Sequence, residues 1–252
     1  MSIVDLLCSS AERLPHQPAV HFRNQLISYK ELQEQVLKVA AGLKNIGVKE
    51  GVQVSLMMTN RPEYIVSYFA ILANGATVVP INPTFKEQEV TYIVNDSESQ
   101  FMLLEELVKP VINNAKGNFK QVKEIICLGE EDDEYVAWEQ LVSPSPISAP
   151  VQVDASAVAQ IIYTSGTTGS PKGAMITHSN LNWMTIAAAV LNKLTTKDRI
   201  LCVLPLFHAY AKLQGFLAPI AHGATIYLEE RFHPVETLQV ITDHKITVFL
   251  GV

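Results

Sequence analysis

The sequence predicts an α/β fold in which a mainly parallel sheet is flanked by helices. Short apolar runs of strand length alternate with segments whose apolar residues recur every three or four positions. Of the 252 residues, 48% are hydrophobic and 17% are charged, which suits a sizeable buried core. Because strands that alternate with helices form βαβ units, the expected sheet is mainly parallel.

The first 150 residues supply most of these elements. A helix is expected at 3–14 and a hairpin at 19–29, joined through Arg23-Asn24-Gln25. Ser28 and Glu31 have the spacing of a capping box and predict a helix that ends near Gly47. The next strands are expected at 52–57, 77–81, 100–104 and 124–128, with helices at 62–74, 84–95 and 105–115.

After a strand at 157–163 comes a stretch rich in glycine and hydroxyl groups. It reads Tyr163-Thr164-Ser165-Gly166-Thr167-Thr168-Gly169-Ser170-Pro171-Lys172-Gly173. Glycine permits close approach of a ligand, and successive backbone N–H groups in such a turn form an anion-binding nest. The hydroxyls add donors, and the charge of Lys172 suits phosphate. The stretch is interpreted as a cradle for a polyphosphate, with a plain surface loop as the alternative.

Two other phosphate-binding patterns do not fit this stretch. In the Walker A pattern, a second glycine stands five residues after the first and is followed by lysine. Here Pro171 stands five residues after Gly166. The dinucleotide pattern fails because Thr168 lies two residues after Gly166. An apolar run at 174–177 predicts that the loop joins two strands, so backbone N–H groups and Lys172 contribute more than a helix dipole.

The last third of the chain continues the alternation. A helix is expected over 181–191, where Trp183 is interpreted as core rather than as the border of a substrate pocket. A strand at 200–206 runs into Pro205-Leu206-Phe207-His208-Ala209-Tyr210-Ala211. A lone histidine beside aromatic residues is more often packed than catalytic. The segments 215–220, 224–228 and 235–244 follow, and the histidine spacing predicts no metal site made by side chains alone.

The order of residues 163–173 closely resembles the signature loop of the adenylate-forming superfamily, which includes acyl-CoA synthetases, peptide-synthetase adenylation domains and luciferases. The segments 27–32 and 72–83 resemble two structural elements of that family, and 205–211 resembles its fourth motif. Ala211 stands where the family usually has glycine, which makes the substrate assignment less secure. The likeness is greatest to a bacterial long-chain fatty-acid–CoA ligase.

This resemblance implies layered, mainly parallel sheets flanked by helices, as in the N-terminal domain of adenylate-forming enzymes. Residues 1–252 are expected to be a truncated part of that AMP-binding domain, without the C-terminal domain. A seam near 143–150 is expected to be an exposed connection, and a crossing between two sheets is one interpretation of it. Because the family's catalytic lysine lies in the absent part, no catalytic residue is assigned and the chain alone is expected to be inactive.

The resemblance also implies a function. The complete enzyme is expected to be an ATP-dependent carboxylic-acid ligase, for a fatty acid, that forms an acyl-adenylate and then a thioester with coenzyme A. The alternatives are an amino-acid adenylation domain of a peptide synthetase and a non-catalytic nucleotide-binding module. The expected phosphate-binding residues are Thr164, Ser165, Gly166, Thr167, Thr168, Gly169 and Lys172. Thr164 is also assigned to magnesium held with ATP, and Phe207, His208 and Tyr210 are assigned to the acyl substrate.

Charge, apolar run lengths and cysteine content indicate which partners and which cellular compartment to expect. A formal charge of −6 argues against nucleic acid as a partner. No apolar run is long enough to span a bilayer, and the N-terminus lacks the pattern of a secretory signal. Three scattered cysteines favour a reduced, cytoplasmic protein. The sequence is compatible with a homodimer and with peripheral contact to a membrane.

Overall fold

Two mainly parallel sheets form the frame of the computed structural model, which describes residues 2–129, 133–164 and 171–251. In chain order the strands are β1 (Pro18–Phe22), β2 (Gln25–Ser28), β3 (Gln53–Met57), β4 (Thr77–Pro80), β5 (Phe101–Glu105), β6 (Glu124–Leu128), β7 (Val136–Ala137), β8 (Val158–Thr164), β9 (Lys172–Thr177), β10 (Arg199–Cys202), β11 (Thr225–Leu228) and β12 (Val248–Phe249). The larger sheet has the order β7-β6-β5-β3-β4-β8-β9, and the smaller has the order β12-β10-β11-β1-β2.

Only the hairpins depart from the parallel arrangement among these described strands. β1 pairs with β2, and β8 with β9, in antiparallel fashion, whereas every other recorded pair is parallel. A tight turn suffices for an antiparallel pair, but a parallel pair needs a longer connection, and helices supply it for most of these pairs. The predicted α/β fold with mainly parallel sheets is therefore confirmed.

The helices fill the space around the two sheets. They are α1 (Ile3–Arg13), α2 (Tyr29–Asn45), α3 (Pro62–Ala73), α4 (Glu87–Asp96), α5 (Lys109–Ala115), α6 (Trp138–Leu141), α7 (His178–Leu191), α8 (Ala209–Lys212), α9 (Ala218–His222) and α10 (Pro234–Asp243). A π-helical turn, Leu213–Leu217, joins α8 to α9. The predicted capping box starts α2, because the Ser28 hydroxyl accepts from the Glu31 amide while the Glu31 carboxylate accepts from the Ser28 amide.

One apolar core is shared by both sheets, which makes the fold layered. Side chains of the larger sheet such as Val54, and of the smaller sheet such as Ile226, belong to the same buried cluster as Tyr68 of α3. Every residue of α3 except Glu63 is buried, as expected for a helix that is apolar on all sides. A second cluster, which includes Val90 of α4, covers the opposite face of the larger sheet.

The connection between α6 and β8 differs from one expectation. β7 and β8 belong to the same sheet, so the segment around 143–150 does not cross between sheets. It instead runs over α2 and α3 from one side of the larger sheet to the other. Backbone N–H groups of Ser143 and Ile147 donate to carbonyls of α2, and that of Val151 donates to Ala73 of α3. These bonds hold an irregular segment against the helices.

Trp183 is the clearest error in the predicted core. Its side chain is 74% exposed, together with exposed Met184, Val190 and Leu191 on the same helix. The buried face of α7 is formed by other residues, among them Leu181, Thr185 and Ala188. Across the described residues, no helix combines the length and the apolar character needed to cross a membrane.

Candidate nucleotide and acyl site

The hairpin β8–β9 is the first part of the candidate site. Its last recorded pairs match Tyr163 with Gly173 and Thr164 with Lys172. The glycine-rich stretch therefore connects two antiparallel strands, as its flanking residues predict. The central cradle residues, which are Ser165, Gly166, Thr167, Thr168 and Gly169, lie outside the described residues.

The hairpin is closely packed around Tyr163, one pair before its last described pair. The Tyr163 hydroxyl donates to the Asp96 carboxylate at 2.6 Å, and its ring meets Tyr92 edge-on at 6.4 Å. Burial, with a further effect of the bond to Asp96, raises the pKa of the Tyr163 phenol. A Cβ on Gly173 would lie 2.8 Å from Ile161 Cγ2 and 3.2 Å from the Tyr163 hydroxyl. Glycine is thus required because β9 passes directly beside this tyrosine.

Thr164 and Lys172 form the open end of the described hairpin. They are register partners and both are exposed. Within the described residues, neither side chain has a recorded hydrogen bond or ion pair. A hydroxyl oxygen suits Mg²⁺, and an ammonium suits phosphate, so this pair fits a magnesium-bound polyphosphate chemically.

The second part of the candidate site follows β10. Leu204, Pro205, Phe207, His208 and Tyr210 line a small cavity of about 210 Å³. Its predicted members differ in exposure: Phe207 is half-buried, whereas His208 and Tyr210 are exposed. The structure brings these three residues together around one cavity. It records no direct hydrogen bond between them and Thr164 or Lys172 in the described part of the chain.

Asn60 holds this second part in place, a role that the sequence analysis missed. Its side-chain NH₂ donates to the carbonyls of Leu204 at 2.9 Å and Glu229 at 3.0 Å. Its side-chain oxygen accepts from the Leu206 amide at 2.8 Å. Asn60 is only 3% exposed, so these bonds replace water for a buried amide. A polar residue shortly after the end of a buried strand was the available signal, because such residues gather at one sheet edge.

A larger cavity of about 320 Å³ lies beside the first. Its lining includes Thr59, Asn82, Thr84, Pro205, Phe207 and Glu230. These residues follow the carboxyl ends of β3, β4, β10 and β11, which come from both sheets. Open α/β sheets bind ligands in crevices outside the carboxyl ends of their strands. Phe207 borders both cavities and therefore lies where the two sheets open to a common crevice.

Comparison with known proteins agrees with this arrangement. The family model for the AMP-binding enzyme matches residues 7–252. A feruloyl-CoA synthase from an Amycolatopsis species is 32% identical over 96% of the chain and 47% of its own length. A long-chain-fatty-acid–CoA ligase from Bacillus subtilis is 26% identical over 99% of the chain and 50% of its own length.

Solved structures give the same fold. A long-chain-fatty-acid-CoA ligase from Archaeoglobus fulgidus superposes with a TM-score of 0.92 and 27% identity, covering 99% of this chain and 51% of its own. The chain spans about half the length of these relatives. The chain belongs to the AMP-binding enzyme family and corresponds to the N-terminal part of adenylate-forming CoA ligases.

Proposed function

We propose that this chain is the N-terminal part of an ATP-dependent acid–thiol ligase that activates an apolar carboxylic acid, with a fatty acid as the leading substrate. The observation that carries the proposal is the paired Thr164 and Lys172 at the open end of the hairpin, together with the apolar cavity around Phe207. ATP with Mg²⁺ is the first co-substrate, and coenzyme A is the thiol.

The proposed reaction has two balanced steps. A carboxylate oxygen attacks the α-phosphorus of ATP, and the bond to the bridging oxygen breaks so that pyrophosphate leaves. The thiolate sulfur of coenzyme A then attacks the acyl carbon, and AMP leaves with the electrons of the mixed anhydride bond. Since the first step joins two anions, its rate depends on positioning and on neutralisation of charge.

Each described site residue has a role in the first step. Lys172 neutralises the departing pyrophosphate, and the Thr164 hydroxyl serves the phosphates or their magnesium ion. Phe207, His208 and Tyr210 border the acyl carboxylate, with Asn60 fixing the backbone before them. Ser165, Gly166, Thr167, Thr168 and Gly169 are proposed to supply the remaining donors to phosphate.

The substrate class rests on the cavity around Phe207. Leu204, Pro205, Phe207 and Tyr210 supply most of its lining, which favours an apolar acyl group over a charged one. The relatives differ here, since one is named for an aromatic acid and another for long-chain fatty acids. Ala211, which stands where the family usually has glycine, is buried and is not among the residues that line this cavity.

The direct test is ATP–pyrophosphate exchange with the longest natural form of the protein that contains this chain. The panel contains saturated fatty acids of increasing length, hydroxycinnamic acids and amino acids. We expect exchange with fatty acids, followed by thioester formation once coenzyme A is added. Exchange with amino acids alone would assign a peptide-synthetase-type domain, and exchange with no acid would leave only nucleotide binding.

A further inference from the structure

Lys212 is a buried cation at the end of α8, directly after the segment 205–211 that is assigned to the acyl substrate. It is only 1% exposed, and its backbone N–H donates to the His208 carbonyl at 2.9 Å. Its ammonium donates to the side-chain oxygen of Gln160 at 2.7 Å. Among the described residues, no carboxylate lies within ion-pair distance of it. Burial lowers the pKa of Lys212 from its ordinary value to about 7.

The partner of this lysine lies on the strand that leads into the phosphate hairpin. Gln160 belongs to β8, four residues before Thr164, and is 3% exposed. Its side-chain oxygen also accepts from the Tyr68 hydroxyl at 3.0 Å. The Lys212 ammonium is 5.4 Å from the centre of the Tyr68 ring, within range of a cation–π attraction. The three side chains form one network between α3, β8 and α8.

The backbone after Lys212 is also unusual. The π-helical turn Leu213–Leu217 begins directly after it, and such turns are frequent at functional sites. Within that turn, a Cβ on Gly215 would lie 2.5 Å from the Cys202 sulfur, so the helix packs tightly against β10. The helix is thus fixed on one side by β10 and on the other by the bond from Lys212 to β8.

Packing alone does not account for a lysine at this position. An apolar side chain of similar volume would fill the space without the cost of burying a charge. The ammonium, however, joins α8, which carries Tyr210 and begins directly after His208, to the strand that carries Thr164. These are the two halves of the proposed site, which the structure otherwise leaves without a direct hydrogen bond among the described residues.

We propose that Lys212 is a positioning residue which, through Gln160, sets the acyl segment against the phosphate hairpin for adenylation. The proposal rests on the proposed ligase function. It does not require Lys212 to touch substrate, because its side chain reaches inward to β8. Misplacement of reacting groups by about 1 Å can cost a hundredfold in rate, so loss of this link acts on catalysis more than on folding.

The test measures thermal stability and pyrophosphate exchange in one set of variants of the full protein. Lys212→Met removes the charge and retains the volume, and Lys197→Met makes the same change at an exposed position. We expect Lys212→Met to raise Tm by about 3–8 °C, because a buried charge is removed. We expect it to lower kcat for exchange by about tenfold or more, with KM for ATP little changed.

Gln160→Leu breaks the same link from the other side, and the double variant completes the cycle. We expect Gln160→Leu to lower kcat by a similar factor. The double variant should show little further loss of kcat, since each single variant already removes the same hydrogen bond. If Lys212→Met does not fold, Gln160→Leu alone still tests whether the bond between Lys212 and Gln160 is needed for exchange.

The outcomes separate the two proposals. Exchange by folded Lys212→Met within about twofold of wild type would overturn the positioning role, whatever happens to Tm. Additive losses in the double variant would overturn the link through Gln160. Absence of exchange in wild type with every acid would instead refute the ligase function, and the positioning role with it.

Discussion

Asn60 and Lys212 anchor the two ends of the same segment in physically opposite ways. Asn60 is neutral and makes three hydrogen bonds, all to backbone groups, at the start of the segment. Lys212 is a titrating cation that, within the described parts of the chain, makes one side-chain hydrogen bond, to Gln160, at the end. Buried polar groups are normally satisfied, and buried charges are normally paired. The hydrogen bonds of Asn60 are therefore explained by their contribution to stability. Burial of Lys212 lowers stability, so its presence requires a functional reason.

The largest expected effect comes from the loss of a direct contact with phosphate. Replacing Lys172 with alanine removes an exposed ammonium at the open end of the hairpin, and we expect exchange activity to fall by about 10²–10³-fold. The free energy of unfolding should stay within about 0.5 kcal/mol of wild type, because surface substitutions rarely do more.

The matched control is Lys197→Ala, which removes an exposed lysine of the turn before β10. It should leave both exchange and stability unchanged. Unchanged exchange in Lys172→Ala would show that the interpretation of this hairpin as a phosphate cradle is wrong.

The second prediction concerns the neutral anchor. Asn60→Leu leaves two carbonyls and one amide without their partner, so we expect the free energy of unfolding to fall by about 2–4 kcal/mol. Urea denaturation measures this change. Asn45→Leu, at an exposed position near the end of α2, is the control and should change stability by less than about 0.5 kcal/mol. A gain in stability for Asn60→Leu would remove the contrast between the two anchors.

The third prediction uses pH to separate the charged anchor from the neutral one. The pKa of Lys212 is about 7 in the folded protein, below its ordinary value, so the unfolded chain binds more protons above about pH 7. Stability must therefore rise as pH increases, by about 2 kcal/mol between about pH 7 and about pH 9. Burial raises the pKa of the neighbouring Tyr68 phenol, which stays neutral in this window.

The measurement is urea denaturation of wild type and Lys212→Met across that range. The difference between the two proteins isolates the lysine, because their other titrating groups are the same. We expect Lys212→Met to have its greatest stability advantage at about pH 7 and to lose it as pH rises. A difference that does not change with pH would mean that the lysine is not buried as a titrating cation.

The smallest predicted effect belongs to Tyr163 of the hairpin. Tyr163→Phe removes one hydrogen bond to Asp96 but keeps the ring beside Gly173, so we expect a loss of about 1 kcal/mol in stability. Exchange should change little, since the ring still supports β9. A loss of activity comparable with that of Lys172→Ala would give Tyr163 a direct role instead of a supporting one.

The sequence predicts elements better than it predicts what covers them. The order of strands and helices and the hairpin at 163–173 follow from apolar periodicity and glycine placement, which are local properties. The prediction that Trp183 belongs to the core is wrong because periodicity identifies an apolar residue without showing whether another element packs on it. The suggested crossing between sheets near 143–150 is wrong because the sheet that a strand joins depends on distant pairing.

The anchors show a second limit. The local pattern shows Asn60 only as a polar residue between a buried strand and a helix. It does not show the partners of Asn60, which lie over 140 positions away along the chain. Lys212 likewise has the sequence context of a surface lysine and becomes unusual only through Gln160, 52 positions earlier. The acyl motif at 205–211 is visible in the sequence, but the bonds that hold it are not.

The proposed ligase function requires the hairpin to hold the departing phosphates of ATP while the Phe207 cavity holds the acyl group. A crystal structure with a non-hydrolysable ATP analogue and a fatty acid tests this most directly. We expect the β- and γ-phosphates beside Thr164 and Lys172, with the acid beside Phe207, His208 and Tyr210. An analogue bound elsewhere, with both the hairpin and the cavity unoccupied, would contradict the account.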